Sequence, residues 1–313
     1  MKLLLTGASG FIGHNVLLRA PRDWEIVAVY HRTPGLEAFV QAQGLSNVRV
    51  VRCDLLDEGA VQALARDIGR PDAMLYLAAN GDPAASAERP RWDLDSNTAA
   101  FVTTLEHCPA DHVVYLSSGA VYDGLSGPVT PATAVSPRLP YAIAKLASEQ
   151  YLRFFCERKG TVGSYVNVRF FGAYGPYEAA RKITTKWLQA MRAGQREFVV
   201  RGNGQNLIDF MYVDDAIDGF LALVAAAGTR ATVDFASGSP VSVNDVVGTM
   251  AKVAGADVSV RHEGTVAEYI EFRSADTTMH DTFGITPRVS FEDGLQRLRA
   301  FLAGAAQADM RRG

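Results

Sequence analysis

Residues 3–13 read LLLTGASGFIG, an apolar run followed by three glycines spaced three residues apart. The apolar run predicts a strand that ends at Thr6, and the residues after the glycines predict the start of a helix. In such a unit Gly7 permits a tight turn, Gly10 lets the backbone approach a pyrophosphate, and Gly13 lets the helix pack closely on the strand. The free N–H groups at the helix start attract phosphate oxygens. This stretch therefore predicts a dinucleotide-binding site.

Further apolar runs recur along the first half of the chain, separated by stretches with helical periodicity, at residues 26–30, 48–52, 73–78 and 113–117. Alternating strands and helices predict βαβ units and a parallel sheet. Because these runs are apolar throughout, we expect helices on both faces of the sheet. The predicted class is α/β, a Rossmann doubly wound parallel sheet with a smaller C-terminal α+β substrate lobe.

The domain division follows from a change of pattern after Phe170. Glycine and proline cluster at residues 172–176, and the regular alternation of strand and helix is lost. We therefore expect two parts. The first is an NAD(P)-binding Rossmann domain of residues 1–170, which also includes residues from about 209–238. The second is a smaller substrate-binding lobe of residues 171–208 and 239–313.

The composition excludes several classes of partner. A formal net charge of -3 provides no basic surface for nucleic acid. No apolar run approaches the roughly 20 residues that span a bilayer, and the apolar start is too short for a signal peptide, so we expect no membrane contact and a cytoplasmic location. Cys53, Cys108 and Cys156 lack the spacing of a metal site or of a disulfide framework. We expect them to be reduced core residues, and we expect no metal.

The end of the second predicted strand bears on the choice of cofactor. There an NAD enzyme commonly has an acidic residue that bonds the ribose 2'-hydroxyl, whereas this chain has Tyr30, His31 and Arg32. A charge-assisted bond from Arg32 to a 2'-phosphate contributes roughly 1.5 to 3 kcal/mol. The sequence therefore predicts an NAD(P) cofactor, with NADP(H) favoured over NAD(H). The alternative is that Arg32 is a solvated residue at a strand end.

A second motif, Tyr141-x-x-x-Lys145, directly follows Pro140, a residue that favours the first turn of a helix. The i,i+4 spacing places the phenol and the ammonium on one helix face. The positive charge is expected to lower the Tyr141 pKa from about 10 toward the working pH. Tyr141 then exchanges a proton with a substrate oxygen. Together with Ser118 and the glycine turn, the pair predicts an enzyme that transfers hydride.

These motifs, with several others, resemble the extended short-chain dehydrogenase/reductase superfamily, in particular the NAD-dependent epimerase/dehydratase family that acts on nucleotide sugars. The similarity covers nearly the whole chain. Beyond the motifs above, the residues that carry it are Asp54-Leu55, Leu77-Ala78-Ala79, Asn97, Ser117-Ser118-x-x-Val121-Tyr122, Arg169-x-x-x-x-Tyr174-Gly175-Pro176 and Asp209-Phe210-x-Tyr212-Val213-Asp214-Asp215.

The resemblance implies a set of site residues. The implied catalytic residues are Ser118, Tyr141 and Lys145, of which the first two hold the reacting oxygen. The implied cofactor-binding residues are Gly7, Ser9, Gly10, Phe11, Ile12, Gly13, Arg32, Asp54, Leu55, Leu77, Ala78, Ala79, Tyr141, Lys145 and Phe171. The implied substrate-binding residues are Asn80, Ser118, Gly172 and Arg201. For the acids from Asp209 to Asp215 we expect a structural role at the start of the next helix.

The residues directly after Ser118 narrow the reaction type. Family members that are 4,6-dehydratases or decarboxylases carry a carboxylate one or two places later, where this chain has Gly119 and Ala120. Epimerases that invert C3 or C5 often use a cysteine at the place of Ala120. The remaining reactions need only hydride transfer and the Tyr141 proton. The expected NADP(H) preference favours a nucleotide-sugar 4-ketoreductase, and the alternative is a nucleotide-sugar 4-epimerase.

Other differences from the family bear on the substrate. The family usually has an asparagine at Gly172, an arginine at Ile208 and Arg-Pro-Gly-Asp before Ala275, and those residues usually hold the substrate pyrophosphate. Without them, a further alternative is that the protein is a reductase of a non-nucleotide carbonyl compound. A nucleotide sugar stays possible if other cations bind its pyrophosphate, and the candidates are Arg181, Lys182, Lys186 and Arg201. A regulatory cofactor binder without turnover is a further alternative, but the intact catalytic set argues against it.

Related enzymes pair two helices from each subunit in a four-helix interface. The corresponding helices here lie near Leu94–His107 and Tyr141–Glu157. We therefore expect a homodimer, with Leu146, Tyr151 and Phe155 shared between the core and the interface.

Overall fold

The computed structural model describes residues 1–265 and 271–310. The strands are β1 (Lys2–Thr6), β2 (Glu25–Tyr30), β3 (Val48–Arg52), β4 (Ala73–Tyr76), β5 (Ala110–Ser118), β6 (Ser126–Val129), β7 (Val162–Phe170), β8 (Ala173–Tyr174), β9 (Glu197–Arg201), β10 (Leu207–Ile208), β11 (Met211–Tyr212), β12 (Arg230–Phe235), β13 (Val241–Ser242), β14 (Ser259–Glu263) and β15 (Glu271–Ser274).

Helices alternate with these strands through most of the chain. The α-helices are α1 (Phe11–Arg19), α2 (Leu36–Ala42), α3 (Glu58–Ile68), α4 (Pro83–Glu88), α5 (Pro90–Leu94), α6 (Ala100–His107), α7 (Pro140–Phe154), α8 (Ile183–Arg192), α9 (Val213–Ala225), α10 (Val243–Ala254), α11 (Thr278–Asp281) and α12 (Phe291–Met310). Asp95–Ala99 and Phe155–Lys159 form π-helical turns, and Gly119–Tyr122 forms a 3₁₀ turn.

Seven of the strands form one parallel sheet in the order β3-β2-β1-β4-β5-β7-β12. The strand order reverses beside β1, because the chain moves outward from β1 to β3 and then returns to add β4 on the other side. Ligands bind to such sheets in the crevice at this switch point, beyond the carboxyl ends of the strands. The predicted class, a doubly wound parallel sheet, is therefore confirmed, and it places the site between β1 and β4.

Alternate residues of β1 supply the two faces of the sheet. Leu3 and Leu5 belong to the core to which α1 and α9 contribute, whereas Leu4 belongs to the core of α3 and α6. Phe220 of α9 and Phe101 of α6 are fully buried on these opposite faces. Full burial of one such side chain stabilises the fold by roughly 1.5 to 3 kcal/mol. Helices thus cover both faces, as the uninterrupted apolar runs predicted.

The smaller C-terminal part packs α8, α10 and α12 together beside the parallel pair β9 and β14. Helix α10 begins with a capping box, in which the Ser242 hydroxyl accepts from the Asp245 N–H and the Asp245 carboxylate accepts from the Ser242 N–H. The core of this part, which includes Met250 and Leu295, is continuous with that of the sheet. Strand β12 returns to the sheet beside β7. The predicted domain boundaries stay a prediction.

Three further observations bear on function. Cys53, Cys108 and Cys156 are buried and unpaired, as predicted. Within residues 1–265 and 271–310, no three His, Cys, Asp or Glu side chains cluster as a metal site requires. Over the same two ranges, no helix has both the length and the apolar composition of a membrane span. The cytoplasmic location stays a prediction.

Candidate active site

The glycine turn lies where β1 and α1 meet the end of β4. Gly7 has a φ of +65°, and a Cβ there would be 2.8 Å from the backbone nitrogen of Ala78. A Cβ at Gly13 would be 2.5 Å from a carbonyl oxygen of the turn. The Thr6 hydroxyl accepts N–H bonds from Leu77 and Ala78 at 3.1 and 3.2 Å. Only glycine therefore fits these two positions, and the turn is held firmly against the loop after β4.

Helix α1 begins directly after the glycine turn. Its N-cap is Gly10, which offers no side-chain cap, and its first turn contains no acid. The first N–H groups of a helix lack intrahelical partners and are therefore available to an anion. Phe11, Ile12 and Gly13, which the sequence assigned to the cofactor, form this first turn.

A cavity of about 410 Å³ opens beside the turn, at the carboxyl ends of β1 to β4. Its volume lies within the roughly 300 to 1,000 Å³ of small-molecule sites. The predicted cofactor-binding residues that line it are Gly7, Ser9, Gly10, Arg32, Asp54, Leu55, Leu77, Ala78 and Ala79. The fold thus brings together residues from separate stretches of the chain on one surface.

The opposite wall of this cavity consists of residues that sequence reasoning missed. Trp92, Asp95 and Ser96 line it from α5 and from the adjoining π-helical turn. The Arg89 guanidinium carbon lies 4.6 Å from the centre of the Trp92 ring. The motif residue Asn97, which follows them in the chain, was the only feature of the sequence that pointed to this segment. The position of the three side chains depends on how α5 packs beside the sheet.

One end of the cavity carries the charges that bear on cofactor choice. Arg32 is exposed there, and no acidic side chain of the described residues forms an ion pair with it. His31 lies 3.4 Å from Asp54, measured from Nε2 to Oδ2. The Tyr30 hydroxyl donates to Glu37 at 2.5 Å, and Tyr30 also lines the cavity. This end therefore holds one arginine that can bind an anion and one carboxylate that can accept from a ribose hydroxyl.

Helix α7 and strand β5 bring the predicted catalytic residues together. The Ser118 side chain lies close enough to the Tyr141 phenol to influence its pKa. Because the Ser118 Oγ accepts from the Ala120 N–H at 3.1 Å, its own proton is left to donate to the phenol oxygen. Lys145 lies one helical turn after Tyr141, with its Nζ 5.8 Å from the centre of that ring. The same Nζ donates to the Leu116 carbonyl at 2.7 Å.

The expected direction of the Tyr141 pKa was wrong. Burial raises the pKa of Tyr141 above its usual value, the bond from Ser118 partly opposes this, and the charge of Asp93 adds to it. Burial also lowers the pKa of Lys145 to about 8, against the influence of Asp93 and Glu149. Loss of water around the phenolate therefore decides the direction of the Tyr141 pKa. The spacing of the two residues predicted their proximity but not their burial.

Phe171 crowds the position directly after Ser118. A Cβ at Gly119 would lie 3.0 Å from Cδ2 of the Phe171 ring. That ring packs against Tyr122 and Phe272, with centroids 6.2 and 6.0 Å away. A side chain at position 119 would therefore require the Phe171 ring to shift by a few tenths of an ångström, and the disfavouring of dehydration and decarboxylation stays a prediction. Phe171, assigned to the cofactor from the sequence, lies beside the catalytic serine.

The predicted substrate residues lie in different surroundings. Asn80 is buried and lines the cavity, and its Nδ2 donates to Asp93 at 2.7 Å. Gly172 lies in the loop after β7, where its carbonyl accepts from the Met211 N–H at 3.1 Å. Arg201 is exposed at the end of β9, in register with Glu263 of β14. Asn80 is thus the predicted substrate residue that shares the cavity wall.

Among the four candidate cations, Arg181 reaches the loop that carries Asn80. Its Nη1 lies 3.6 Å from Oδ2 of Asp82, the residue that caps α4. Lys182 and Lys186 are exposed at the start of α8. The ion pair of Arg181 therefore places a positive charge beside the opening of the site.

The acids from Asp209 to Asp215 have the structural role that was expected. Asp214 and Asp215 lie in the first turn of α9, where negative charge is favourable. The Asp215 Oδ2 accepts the Arg288 and Val289 N–H groups at 2.9 and 2.8 Å. These acids tie loops to α9. None of them is its N-cap, because that position is Tyr212.

Comparison with known proteins agrees with this geometry. Residues 3–234 match the NAD dependent epimerase/dehydratase family. The UDP-glucose 4-epimerase of Mycolicibacterium smegmatis is 25% identical, over 98% of this chain and 100% of that protein. The GDP-6-deoxy-D-mannose reductase of Pseudomonas aeruginosa is 26% identical, over 96% of each. The solved structure of MoeE5 in complex with UDP-glucose and NAD has a TM-score of 0.85 at 25% identity, covering 98% of this chain and 100% of that one.

Proposed function

Because the chain belongs to the NAD dependent epimerase/dehydratase family, as its motifs predicted, we propose that it is an NAD-dependent nucleotide-sugar 4-epimerase. The observation that carries this proposal is the Tyr141 phenol, which lies close to Ser118 and next to buried Lys145, with Phe171 crowding the position after the serine. Such a site moves one hydride and one proton. The relatives support an epimerase better than the 4-ketoreductase that the sequence favoured.

The glycine turn fits the dinucleotide that this function needs. The absence of a Cβ at Gly7 and the uncapped start of α1 leave backbone N–H groups free for a pyrophosphate. We assign the adenosine to the cavity end that holds Arg32 and Asp54, and the nicotinamide to the end near Ala78 and Ala79. When bound, NAD supplies the acceptor and then the donor of the hydride at the sugar C4.

The residues of the chain handle the proton. Tyr141 takes the proton of the C4 hydroxyl as that carbon is oxidised to a ketone, and it returns the proton when the alcohol re-forms with the opposite configuration. The Ser118 hydroxyl holds the same oxygen and partly opposes the rise in the Tyr141 pKa that burial causes. Lys145, with a pKa of about 8, is mostly protonated at neutral pH and provides a positive charge beneath the ribose. The cofactor is restored after one cycle, and the sugar returns to its original oxidation level with C4 inverted, so the reaction consumes no reductant.

A second candidate is an NADP(H)-dependent 4-ketoreductase of a nucleotide sugar. The observation that favours it is Arg32, which lines the cavity and has no acidic partner among the described residues. Such an arginine suits a 2'-phosphate, and a reductase needs a cofactor pool that stays reduced. The same Ser118, Tyr141 and Lys145 would serve this reaction, with Tyr141 donating its proton to the new alkoxide.

For the substrate we propose a nucleotide sugar whose phosphates meet Arg181. The arginine usual at position 208 is replaced by Ile208, which pairs with Val241 in a short antiparallel ladder. The Arg181 side chain is exposed, and its 3.6 Å ion pair with Asp82 is long enough to be exchanged for a phosphate. A charge-assisted bond of this kind contributes roughly 1.5 to 3 kcal/mol.

We also propose that two copies pair through α7. Leu94, Ile143, Tyr151 and Phe154 are 47, 49, 45 and 43% exposed, although all are large and apolar, and the last three lie on α7. Phe155, by contrast, is 3% exposed and belongs to the core, whereas Leu146 is half-buried, so the predicted sharing of core and interface stays a prediction. An apolar surface of this kind is typical of a protein interface.

An assay without added reductant tests the proposed function. The protein is incubated with UDP-, GDP-, CDP- and dTDP-linked hexoses and catalytic NAD, and proton NMR monitors inversion at C4. An epimerase produces the C4 epimer with no net change in cofactor absorbance, whereas a ketoreductase oxidises NADPH in proportion to added 4-keto sugar. If neither occurs while a simple carbonyl compound is reduced, the nucleotide-sugar assignment is wrong.

A further inference from the structure

Lys145 is a cation inside the protein. Its side chain is 3% exposed, and its Nζ donates to the Leu116 carbonyl at 2.7 Å. The Tyr115 and Tyr141 rings lie with their centroids 5.0 and 5.8 Å from the same nitrogen. A carbonyl and two ring faces carry no net negative charge. A buried ammonium without a counter-charge is costly, so one is expected nearby.

Glu149 is buried beside Lys145, but its charge is already matched. Arg169 binds it at two points, with Nη2 to Oε2 at 2.9 Å and Nε to Oε1 at 3.1 Å. The Ser117 hydroxyl donates to Oε1 at 2.5 Å. This carboxylate therefore has a cation of its own and a full set of donors, and Lys145 needs a second anion.

Asp93 of α5 is that second anion. It is fully buried, and α5 packs against α7, the helix that carries Lys145. The Asp93 Oδ1 accepts from the side-chain amides of Asn80 and Asn97, each at 2.7 Å. The Oδ2 atom is buried with no hydrogen-bond partner among the described residues. Both amides are neutral, so the charge of Asp93 is uncompensated by its hydrogen bonds.

The other charged groups around Asp93 are engaged elsewhere. Arg91 is exposed and bonds Asp95 at 3.0 Å. The Arg89 guanidinium lies over the Trp92 ring, and among the described residues the hydrogen-bond partners of the Asp93 carboxylate are the amides of Asn80 and Asn97. Asp82 pairs with Arg181. On α7, the groups that feel the charge of Asp93 are Tyr141 and Lys145.

We propose that Asp93 is a positioning residue that acts as the buried counter-charge of Lys145 and, by binding Asn80 and Asn97, fixes the cavity wall relative to the catalytic helix. The two buried pairs, Glu149 with Arg169 and Asp93 with Lys145, then balance the charge beneath the site. The pairing of charges stands on the burial of both groups, the unpartnered Asp93 Oδ2 and the packing of α5 on α7, together with the influence of Asp93 on Lys145. Only its effect on turnover rests on the proposed function.

A double-mutant cycle on stability tests the charge pairing without any cofactor. Urea unfolding is measured for Asp93→Asn, Lys145→Met and the double variant. Each single variant leaves one charge buried and unmatched, so we expect both unfolding midpoints to fall, and the double variant to recover a large part of the loss. A control cycle combines Asp93→Asn with Lys252→Met, which removes an exposed lysine paired with Glu292. Additive effects in both cycles would overturn the proposal.

If Asp93→Asn does not fold, Lys145→Met remains informative. Without the lysine the charge of Asp93 is unmatched, so Lys145→Met should unfold at a lower urea concentration than Lys145→Arg, which keeps a positive charge at this position. Equal unfolding midpoints for the two variants would contradict the pairing.

A kinetic measurement tests the effect on the site. The charge of Asp93 favours the protonated form of Tyr141, so Asp93→Asn should shift the rising limb of turnover against pH to lower pH, and Asp93→Glu should shift it back. Asp111→Asn, which removes an exposed partner of Arg70, is the control that leaves the profile in place. A uniform loss of turnover without a shift would indicate a merely structural role. If wild type has no turnover, the proposed function fails, and the stability cycle still decides the pairing.

Discussion

The phenolic O–H of Tyr122 donates to Oδ1 of Asp234 at 2.7 Å in the interior, joining the turn after β5 to the end of β12. The Tyr122 oxygen also accepts from Arg169 at 3.0 Å, and Ser274 donates to the other Asp234 oxygen at 2.9 Å. Through Arg169 the chain of bonds continues to Glu149. Two residues of the sequence motifs, Tyr122 and Arg169, thus link the sheet to the C-terminal part.

Asp234 makes stability depend on pH. Burial raises the pKa of its carboxyl from 3.8 to about 6 in spite of these bonds. The folded protein therefore holds this proton more tightly than the unfolded chain. Below about pH 4 the ionisation of Asp234 does not change the free energy of unfolding, and as the pH rises to about 6 it lowers that free energy increasingly. The full cost is about 3 kcal/mol, since one pKa unit corresponds to about 1.4 kcal/mol. Asp234→Asn should gain stability relative to wild type across this interval, measured by urea unfolding.

Asp67 provides a control with the opposite sign. It is exposed, and its bond to Arg49 lowers the pKa of its carboxyl. Stability from this bond is present at neutral pH and is lost on acidification, so Asp67→Asn should lose stability relative to wild type as the pH rises. If the curves of Asp234→Asn and wild type run parallel, Asp234 is not the group that titrates.

Removal of the Tyr141 hydroxyl tests the proton transfer. Tyr141→Phe should reduce turnover by roughly 100-fold or more, because the proton has no other carrier, while NAD affinity measured by calorimetry stays unchanged. Tyr151→Phe removes an exposed phenol from the same helix and serves as the matched control for turnover. Turnover close to wild type in Tyr141→Phe would rule out this mechanism.

Arg32 tests cofactor choice. If it meets a 2'-phosphate, Arg32→Ala should weaken NADP binding by roughly 10- to 100-fold and leave NAD binding nearly unchanged. Tyr30→Asp should go further, because it adds a partner for the ribose and repels the phosphate. Arg22→Ala, in the loop before β2, is the control. Calorimetric titration of each variant with NADP and with NAD makes the comparison. If the wild type prefers NAD, Arg32 is only a solvated residue at a strand end, and the support for a reductase is lost.

Arg181 tests the substrate assignment. Arg181→Ala should raise the KM for the nucleotide sugar by roughly 10- to 100-fold with a small effect on kcat, because the phosphate lies far from the reacting carbon. Lys186→Ala, which removes a nearby exposed cation from α8, should change neither constant. Equal effects of both substitutions would show that only general positive charge matters.

The exposed face of α7 tests assembly. Tyr151→Glu places a charge among Ile143 and Phe154, so a dimer that uses this face should dissociate into monomers. Val199→Glu, at an apolar position of β9 that is 42% exposed, should leave the dimer intact. Light scattering at micromolar concentration makes the comparison, and a wild type that is monomeric there would disprove the interface.

The sequence by itself determined the features that are set within a few residues of the chain. The glycine spacing required the turn at Gly7, because the backbone there approaches Ala78 too closely for a side chain. The spacing of Tyr141 and Lys145 required that both lie on one face of α7, since four residues make about one helical turn. The uninterrupted apolar runs likewise specified a sheet covered on both faces, and these motifs together indicated the family.

Only the tertiary structure decided the electrostatics of the site and its walls. The direction of the Tyr141 pKa depends on burial and on Asp93, and the cavity wall at Trp92 depends on how α5 packs. The crowding of Gly119 by Phe171 joins residues from different strands. Loss of water and contact with distant residues set each of these properties, and neither is encoded in the spacing of neighbours along the chain.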